Sequence, residues 1–486
     1  MVSPTDIAIV GMSALFPGCR DLSTYWQNIL NKVDNVHDAP DEWTGSYFEP
    51  NSSDDRLYTR KGGFLRELAE FNPIEFGIMP NSLEAGDPDH FLSLKLARDA
   101  LLDAGYSDRP FNREKTGIIL GRGTYTNRGS VSGVQHGIVL DQTLDLLRQI
   151  IPALDRDTLS NIRKELEASL PPFSADSISG MVPNLLTGRI ANRLDLMGPN
   201  YIIDAACASS LIAVELAIEE LLNGRCDMML AGGVQAATPP QIFMMFCQLG
   251  ALSRSKIRPF DTSADGTLLA EGLGMLVLKR LSDAERDGDR IYAVIKGLGS
   301  SSDGKAVGLL APRLEGQVLA LQRVYENSIE PDTVELVEAH GTGMPLGDKT
   351  EIQSLSQVFG QRKKQIPCCA LGTVKSAIGH CIPAAGIASI IKTALALYHK
   401  ILPPTLLHRV NPALEIEKTP FYINTEARPW IHGNSTVPRR AGVNAFGFGG
   451  INAHALLEEY TGLQKKEAKL LHKQWDTELL IFSADG

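Results

Sequence analysis

The sequence predicts an α/β protein in which sheet strands pack between helices, built from two related halves. Short apolar strand-type runs alternate with longer helix-forming runs from residue 201 onwards, which is the pattern of α/β folds. A relation between the halves is indicated because a helix rich in small residues begins at two distant places, at residues 208–213 (ASSLIA) and 384–389 (AAGIAS).

In the first half, short apolar runs predict strands. Apolar residues that recur every three to four positions predict helices. The predicted strands are 7–11, 116–121, 201–205 and 228–231, and the predicted helices are 87–105, 144–151, 159–170 and 209–222. The region 129–179 is the least patterned. We predict that it is an insertion with surface helices, placed at a subunit interface.

The second half repeats the alternation. The predicted strands are 291–295, 334–338 and 369–371, and the predicted helices are 316–325 and 384–399. After Tyr460 the chain becomes polar and basic, and a strand-like run begins near its end at 478–484. We therefore expect the start of a linker toward a following domain at 461–486.

Composition argues against several classes of function. Of 486 residues 43% are apolar and 21% charged, as in ordinary globular proteins. The net charge of −10 argues against a nucleic-acid-binding surface, and no run reaches the roughly 18 apolar residues of a membrane helix. The N-terminus lacks a secretory signal, so a cytoplasmic protein is expected. Seven irregularly spaced cysteines predict reduced thiols and no metal site.

Three short segments carry the candidate chemistry. Residues 204–210 (DAACASS) place Cys207 between an apolar strand and a predicted helix, while EAHGTG and KSAIGH place His340 and His380 in glycine-rich turns after apolar strands. The positive end of a helix dipole lowers the pKa of a thiol, so Cys207 is predicted to be a thiolate nucleophile. One thiol and two imidazoles suit carbon–carbon bond formation on a thioester.

In their order and spacing these segments resemble the β-ketoacyl synthase (ketosynthase) domain of type I iterative polyketide and polyunsaturated fatty-acid-like synthases. The resemblance runs from residue 6 to about residue 460 and includes DIAIVGM, RPFD, AEG and FGFGGINAH. It implies the thiolase fold, in which two related α/β halves form a five-layered αβαβα arrangement. The first half would be residues 1–280, with the nucleophilic cysteine, and the second half would be residues 281–460, with the two histidines. It also implies an acyltransferase of the 3-oxoacyl-[acyl-carrier-protein] synthase type.

The same resemblance implies roles for individual residues. Cys207 would accept an acyl chain from a carrier thioester, and the backbone N–H groups of Cys207 and Phe448 would form an oxyanion hole, with Gly449 beside the gate that Phe448 forms. His340 and His380 would act as neutral imidazoles that donate N–H bonds to the enolate formed when a malonyl thioester loses carbon dioxide.

Supporting residues are implied in the same way. Lys375 and Glu351 match an ion pair that orients the two histidines, and Thr342 and Thr373 match positions that hold the phosphopantetheine arm of an acyl carrier protein. No cofactor bound by the domain itself is implied. Three residues stand where the family usually has threonine: Met344, Cys381 and Ile451. Because of these replacements, the resemblance does not define the shape of the pocket.

Finer features concern the subfamily and the partners. Residues 285–297 and 300–305 resemble the ketosynthases of polyunsaturated fatty-acid, enediyne and long-chain glycolipid synthases. The implied partners are an acyl carrier protein, malonyl and acyl thioesters, and an acyltransferase in the same polypeptide. A homodimer is also implied, with its contact expected at residues 199–204.

Four other classes are weighed against this interpretation. A chain-length-controlling or non-elongating ketosynthase-like subunit usually lacks the nucleophile, and a starter-loading decarboxylase carries glutamine in its place, so Cys207 argues against both. A thiolase would need a second cysteine in the last glycine-rich motif. A cysteine hydrolase would need one base rather than two separated histidines. The histidine of that last motif, His454, is interpreted as structural.

Overall fold

The computed structural model describes residues 5–40, 47–51, 56–123, 127–326, 329–362, 367–433 and 437–462. The strand predicted at 478–484 and nearly all of the linker predicted at 461–486 lie outside these residues. One mixed sheet of eleven strands runs through the described part. Its strands are β1 Ile7–Leu15, β2 Thr116–Arg122, β3 Asn200–Ile203, β4 Met228–Gln235, β5 Gly272–Arg280, β6 Ala293–Ser302, β7 Leu336–Glu338, β8 Cys369–Gly372, β9 Phe421–Ile423, β10 Arg440–Gly447 and β11 Ile451–Glu458.

The two halves of this sheet repeat one topology. The strand order is β3-β2-β4-β5-β1 in the first half and β8-β7-β10-β11-β6 in the second, with β9 added at the outer edge. In each half the first three strands are parallel, and the fourth is antiparallel to both of its neighbours. A short antiparallel pairing of β1 with β6 joins the halves. The predicted relation between two α/β halves is confirmed.

Helices cover this sheet and fill the space between its halves. They are α1 Leu22–Leu30, α2 Ser82–Ala85, α3 Pro88–Asp103, α4 Arg128–Val134, α5 Leu140–Ile150, α6 Arg156–Ser169, α7 Ala175–Met181, α8 Leu185–Leu194, α9 Ser209–Leu222, α10 Pro240–Gln248, α11 Leu281–Asp287, α12 Leu314–Tyr325, α13 Pro345–Phe359, α14 Lys375–Ile378 and α15 Ala385–His399.

The helices form three layers. In the middle, α9 and α15 contact each other, and each also contacts strands of both halves. On the outer face of the first half lie α3 and α8, and on that of the second half lie α12 and α13. This is the predicted five-layered αβαβα arrangement. Residues Ile382–His399, which include α15, have the length and apolarity of a membrane helix, but 89% of this segment is buried within the protein, as a central core helix requires.

The region 129–179 forms a small packing unit of its own. A π-helical turn, Gln135–Val139, joins α4 to α5, and α5 and α6 bury Leu140, Leu144 and Leu159 against each other. The two predicted surface helices are therefore present, each within a few residues of its predicted bounds. The placement of this region at a subunit interface stays a prediction.

Candidate active site

Cys207 lies in a strained turn between β3 and α9. Ala206 has a φ of +48°, a left-handed conformation that costs a residue with a Cβ about 1 to 2 kcal/mol. Ser209 holds the turn, since its Oγ accepts from the N–H of Ala205 at 2.8 Å and donates to the carbonyl of Ala206 at 2.6 Å. The turn fixes the thiol, which is only 5% exposed, at the entrance to α9.

The prediction that the pKa of Cys207 is lowered is wrong. Burial raises the pKa of this thiol to about 11, and the ammonium of Lys375 and the backbone N–H groups of Cys207 and Phe448 offset only part of that effect. The helix begins at Ser209, and loss of hydration outweighs its dipole. The resting thiol is therefore neutral, and its activation requires a base.

His380 lies in the position of that base. Its Nε2 is 3.1 Å from the Sγ of Cys207. Within the described residues its Nδ1 is buried without a hydrogen-bond partner, so no contact fixes the ring in one tautomer. The turn that carries His380 follows the short helix α14, whereas the sequence predicts that it follows a strand directly.

His340 reaches the same place from the end of β7. Its ring centre is 5.6 Å from that of His380, in an edge-on arrangement. The N–H of Phe446 donates to His340 Nδ1 at 3.3 Å, which leaves the proton of the neutral ring on Nε2. His340 therefore presents an N–H donor that is free to bind an oxygen atom in the site.

Both imidazoles are neutral at pH 7, as the sequence predicts. Burial lowers the pKa of His340 and of His380 well below the usual 6.5, and the nearby ammonium of Lys375 lowers both further. Lys375 is itself 1% exposed. Burial lowers its own pKa, against the opposing pull of the carboxylates of Glu338 and Glu351.

Glu351 differs from its prediction. Within the described residues it forms no ion pair with Lys375. Its carboxylate instead accepts hydrogen bonds from the backbone N–H of His340 at 2.7 Å, the N–H of Gly341 at 2.8 Å and the side-chain amide of Asn444 at 2.8 Å. Because three N–H donors already satisfy this carboxylate, Glu351 fixes the backbone of the His340 turn rather than the lysine.

The ion pair beside the site joins Lys392 of α15 to Glu338 of β7. The two charges are 2.6 Å apart, and both side chains are 1% exposed. The other oxygen of Glu338 accepts from the N–H of Val374 at 2.6 Å. The pair thus ties the strand before His340 to the turn that carries Lys375.

We expect Lys392→Met to lower the free energy of unfolding by about 3 to 5 kcal/mol, because the carboxylate of Glu338 would stay buried without its partner charge. Urea unfolding followed by circular dichroism measures this loss. The matched control is Lys32→Met, which breaks an ion pair with Glu426 whose side chains are 42% and 60% exposed and is expected to cost less than about 1 kcal/mol. Equal losses in the two variants would contradict a structural role for the buried pair.

A cavity opens above Cys207 and the two histidines. Phe448 forms part of its wall, and the Phe448 ring stacks on Phe246 with centres 5.9 Å apart. Gly449 follows with a φ of +83°, and its N–H donates to the carbonyl of Leu309 at 2.9 Å. The remaining wall is largely apolar and includes Leu309, Leu310, Ala311, Pro312, Met344 and Leu346.

The two predicted arm-binding threonines are placed differently. Thr342 lines the cavity. Thr373 is fully buried and lies behind the cavity wall, where its hydroxyl donates to the carbonyl of Gly341 at 3.5 Å. The predicted contact of Thr373 with a carrier arm is therefore not supported by its position, since it serves as packing under the His340 turn.

The three residues that depart from the family pattern also lie in different places. Met344 lines the cavity and makes its wall apolar where a hydroxyl is usual. Cys381 is buried, with its Sγ 3.3 Å from the carbonyl of Glu271. Ile451 pairs with Ser302 at the end of the β11–β6 ladder. Only Met344 therefore changes the surface that a substrate would meet.

Asp348 is a site residue that the sequence interpretation leaves out. Its buried carboxylate accepts from the N–H groups of Phe260 at 2.7 Å and of Thr342 and Gly343 at 3.2 Å each. The sequence feature that could have identified Asp348 is its spacing. It precedes Glu351 by three residues and therefore lies on the same face of the helix. No group of three or more metal-binding side chains is present in the described part of the chain.

Comparison with known proteins agrees with this geometry. The β-ketoacyl synthase N-terminal domain model matches residues 5–284, the β-ketoacyl synthase C-terminal domain model matches residues 292–408, and the ketoacyl-synthetase C-terminal extension matches residues 411–485. One subunit of the polyunsaturated fatty acid synthase of Thraustochytrium sp. is 39% identical over 472 residues, which are 94% of this chain but 16% of that protein.

Two solved structures extend the likeness. The ketosynthase from module 6 of the bacillaene synthase from Bacillus subtilis 168 has a TM-score of 0.79 and 36% identity, and the match covers 94% of this chain and 72% of that one. The PfaC keto synthase–chain length factor has a TM-score of 0.82 and 33% identity, with coverage of 94% and 48%. The chain belongs to the β-ketoacyl synthase family and is a ketosynthase domain like those of polyketide and polyunsaturated fatty acid synthases.

Proposed function

We propose that this chain is the condensing unit of a larger synthase, which moves an acyl chain from a carrier thioester to Cys207 and joins it to malonyl-[acyl carrier protein] by decarboxylative Claisen condensation. The observation that carries the proposal is the 3.1 Å contact of Cys207 Sγ with His380 Nε2, beside the second neutral imidazole of His340 on the floor of one cavity. The first half-reaction needs a nucleophile with a base beside it, and the second half-reaction needs two neutral N–H donors.

In the first half-reaction Cys207 is acylated. His380 Nε2 takes the thiol proton as the sulfur attacks the acyl carbonyl, and it returns that proton to the departing pantetheine thiolate. The backbone N–H groups of Cys207 and Phe448, which interact with the sulfur in the resting site, bind the oxyanion of the tetrahedral intermediate. A Cβ at Gly447 would lie 3.2 Å from the nitrogen of Cys207 and 2.8 Å from the carbonyl of Ala205, so glycine keeps this hole open.

In the second half-reaction the malonyl carboxylate leaves as carbon dioxide, and its bonding electron pair becomes an enolate. Neutral His340 donates its Nε2–H to the enolate oxygen, and His380 donates as well, because its unpartnered Nδ1 leaves it free to carry the proton on Nε2. The enolate carbon then attacks the acyl-Cys207 thioester. The β-ketoacyl carrier is released, and Cys207 leaves as a thiolate. Decarboxylative condensation consumes one proton, which the thiolate takes up from solvent to restore the resting thiol.

The substrate carrier would enter through the cavity above Cys207. Thr342 lines this passage and offers a hydroxyl to the phosphopantetheine arm, whereas Met344 and Leu346 present apolar surface to it. We propose an acyl carrier protein as the partner that delivers both thioesters. The domain itself needs no bound cofactor for these steps, since each is carried by side chains and backbone N–H groups.

The setting of the domain is also proposed. Identity of 39% to a polyunsaturated fatty acid synthase subunit of which this chain spans only 16% supports a place within a multidomain, iterative synthase. An acyltransferase in the same polypeptide would then supply malonyl groups to the carrier. We also propose a cytoplasmic location, since all seven cysteines are free thiols, as expected in a reducing compartment. Cell fractionation with an antibody against this domain tests that location.

A chain-length-controlling subunit is the second candidate, favoured by the likeness to the PfaC keto synthase–chain length factor structure. A subunit of that kind usually lacks the nucleophile, whereas here Cys207, His340 and His380 are assembled in contact. Mass spectrometry after incubation with a panel of acyl thioesters separates the two. Acylation at Cys207 supports the condensing enzyme, and absence of acylation with every thioester of the panel would favour the regulatory subunit.

We expect His340 and His380 to add no inflection to the decarboxylation rate between about pH 6 and 8, whereas a histidine with its usual pKa would gain charge near 6.5. Both His340 and His380 have a pKa lowered well below that value by burial, so each stays a neutral N–H donor as the pH falls through this range. Release of carbon dioxide from malonyl carrier, measured across the range in constant ionic strength, checks the profile. Because burial raises the pKa of the Asp348 carboxyl to about 7, the same profile is measured for Asp348→Asn. A step near pH 6.5 that this variant keeps would show that one of the rings titrates normally.

We propose a homodimer of about twice the 52.8 kDa chain mass. β3 is the last strand of the sheet in the described part of the chain, and pairing with a second copy would protect its free edge. Light scattering measures the mass. Because β3 leads directly into the Cys207 turn, Ile202→Pro, which removes a backbone N–H from this strand, should lower both the dimer fraction and acyl loading. A stable monomer with full activity would contradict the proposal.

A further inference from the structure

A buried chain of hydrogen bonds runs from the second half of the core to the turn that carries His340. His454 lies opposite Asn444 in the β10–β11 hairpin. Its Nε2 lies 2.9 Å from Tyr325 Oη, and its Nδ1 lies 2.6 Å from Asn444 Oδ1. Asn444 Nδ2 lies 2.8 Å from Glu351 Oε1. Both His454 and Asn444 have no exposed surface, so water does not compete for these bonds.

The Glu351 carboxylate, at the end of this series of hydrogen bonds, determines which group donates and which accepts in each bond. Glu351 accepts the N–H groups of His340 and Gly341, so it acts as an acceptor toward Asn444 as well. Asn444 therefore presents its NH₂ group to Glu351 and its oxygen to His454. It follows that His454 carries its proton on Nδ1 and that its Nε2 accepts from the hydroxyl of Tyr325.

The surroundings of His454 fit a neutral imidazole. Burial lowers the pKa of His454 to about 3, so the ring brings no charge next to Glu351. A Cβ added at Gly442 would lie 2.7 Å from Cε1 of His454, so the ring occupies space that only a glycine leaves free. The Tyr325 ring packs on it with centres 5.5 Å apart. The position is therefore shaped for this side chain in one orientation.

We propose that His454 and Asn444 are positioning residues for the condensation, which hold Glu351 so that its carboxylate fixes the backbone of His340. Neither residue lines the cavity, so both act through Glu351 rather than on the substrate. Each hydrogen bond from Tyr325 to Glu351 has a fixed donor and acceptor. Breaking the His454–Asn444 hydrogen bond therefore frees the amide of Asn444 to rotate away from Glu351. This inference rests on the proposed role of His340 as an enolate donor.

Two substitutions of similar size test the link. In His454→Asn the amide nitrogen falls near the place of Nδ1 and can still donate to Asn444. In His454→Gln the amide falls near the place of Nε2, which keeps the contact with Tyr325 and loses the donor to Asn444. Acyl loading of Cys207 by mass spectrometry and carbon dioxide release from malonyl carrier are measured for both variants and for the wild type.

We expect both variants to load Cys207, which shows that they fold, and His454→Asn to keep most of the decarboxylation rate. His454→Gln should lose about a hundredfold in kcat, the scale of a catalytic group displaced by about 1 Å, with little change in KM because no substrate contact is lost. Equal decarboxylation by two loading variants would overturn the inference. A wild type that loads but releases no carbon dioxide would instead refute the proposed function.

A measurement on the unmodified protein covers the case in which a variant does not fold. Nitrogen-15 chemical shifts of the histidine rings distinguish the two neutral tautomers and the charged form. The proposed series of hydrogen bonds requires His454 to be neutral with its proton on Nδ1. A proton on Nε2 would reverse the bond to Asn444 and overturn the inference.

Discussion

Replacing Cys207 by alanine is expected to abolish acyl loading and condensation while the fold is retained. The loss should be at least about a thousandfold, because removal of the nucleophile from a covalent mechanism leaves only binding and oxyanion stabilisation. The Cys207→Ala change removes one sulfur atom from a small apolar cluster, so it should cost stability only modestly. Mass spectrometry after incubation with acyl thioesters gives the loading, and thermal unfolding checks the fold.

The matched control for this prediction is Cys247→Ala. Cys247 belongs to the same buried cluster as Cys207, so it carries the same loss of a thiol from the same apolar surroundings. We expect this variant to load and condense at nearly the wild-type rate. Covalent acylation of the Cys207→Ala protein at another residue would contradict the assignment of the nucleophile.

Replacing either histidine should separate the two half-reactions. His340→Ala and His380→Ala each remove an N–H donor to the developing enolate, which typically costs about a hundredfold or more in rate. Carbon dioxide release should therefore fall in both. Loading should differ between them, since only the His380 ring contacts the thiol, at 3.1 Å.

The expected pattern is that His340→Ala still loads Cys207 at close to the wild-type rate, whereas His380→Ala loads slowly at neutral pH. Raising the pH should partly restore loading in His380→Ala, because the thiol with a pKa raised to about 11 then ionises without help. Single-turnover acylation followed over time at two pH values measures this. Unchanged carbon dioxide release in both variants would refute the roles proposed for the histidines.

Local sequence was sufficient to predict the elements that consist of one strong pattern. The predicted helix 209–222 coincides with α9, since this run contains no glycine or proline and is rich in alanine, leucine and glutamate. By contrast, no strand is predicted from the sequence over residues 440–458, where the structure has the long strands β10 and β11. Glycines weaken the strand pattern there, and pairing with β7 and β6 on either side stabilises the strands.

The sequence was sufficient to predict which residues form the site, but not their pKa values or hydrogen-bond partners. The motifs identify Cys207, His340 and His380, and the fold brings them together. The raised pKa of Cys207 was not predictable, because burial depends on distant segments such as α10 and the Phe448 turn. The partner of Glu351 was missed for the same reason, since Asn444 is 93 positions away along the chain.

Product analysis in a complete reaction tests the central proposal most directly. Wild-type protein is incubated with an acyl thioester and with malonyl carrier labelled by carbon-13 at the free carboxyl. We predict one labelled carbon dioxide for each β-ketoacyl carrier formed, with acyl-Cys207 as the intermediate trapped when malonyl carrier is omitted. Release of the free carboxylic acid without a new carbon–carbon bond would show a hydrolase and contradict the proposal.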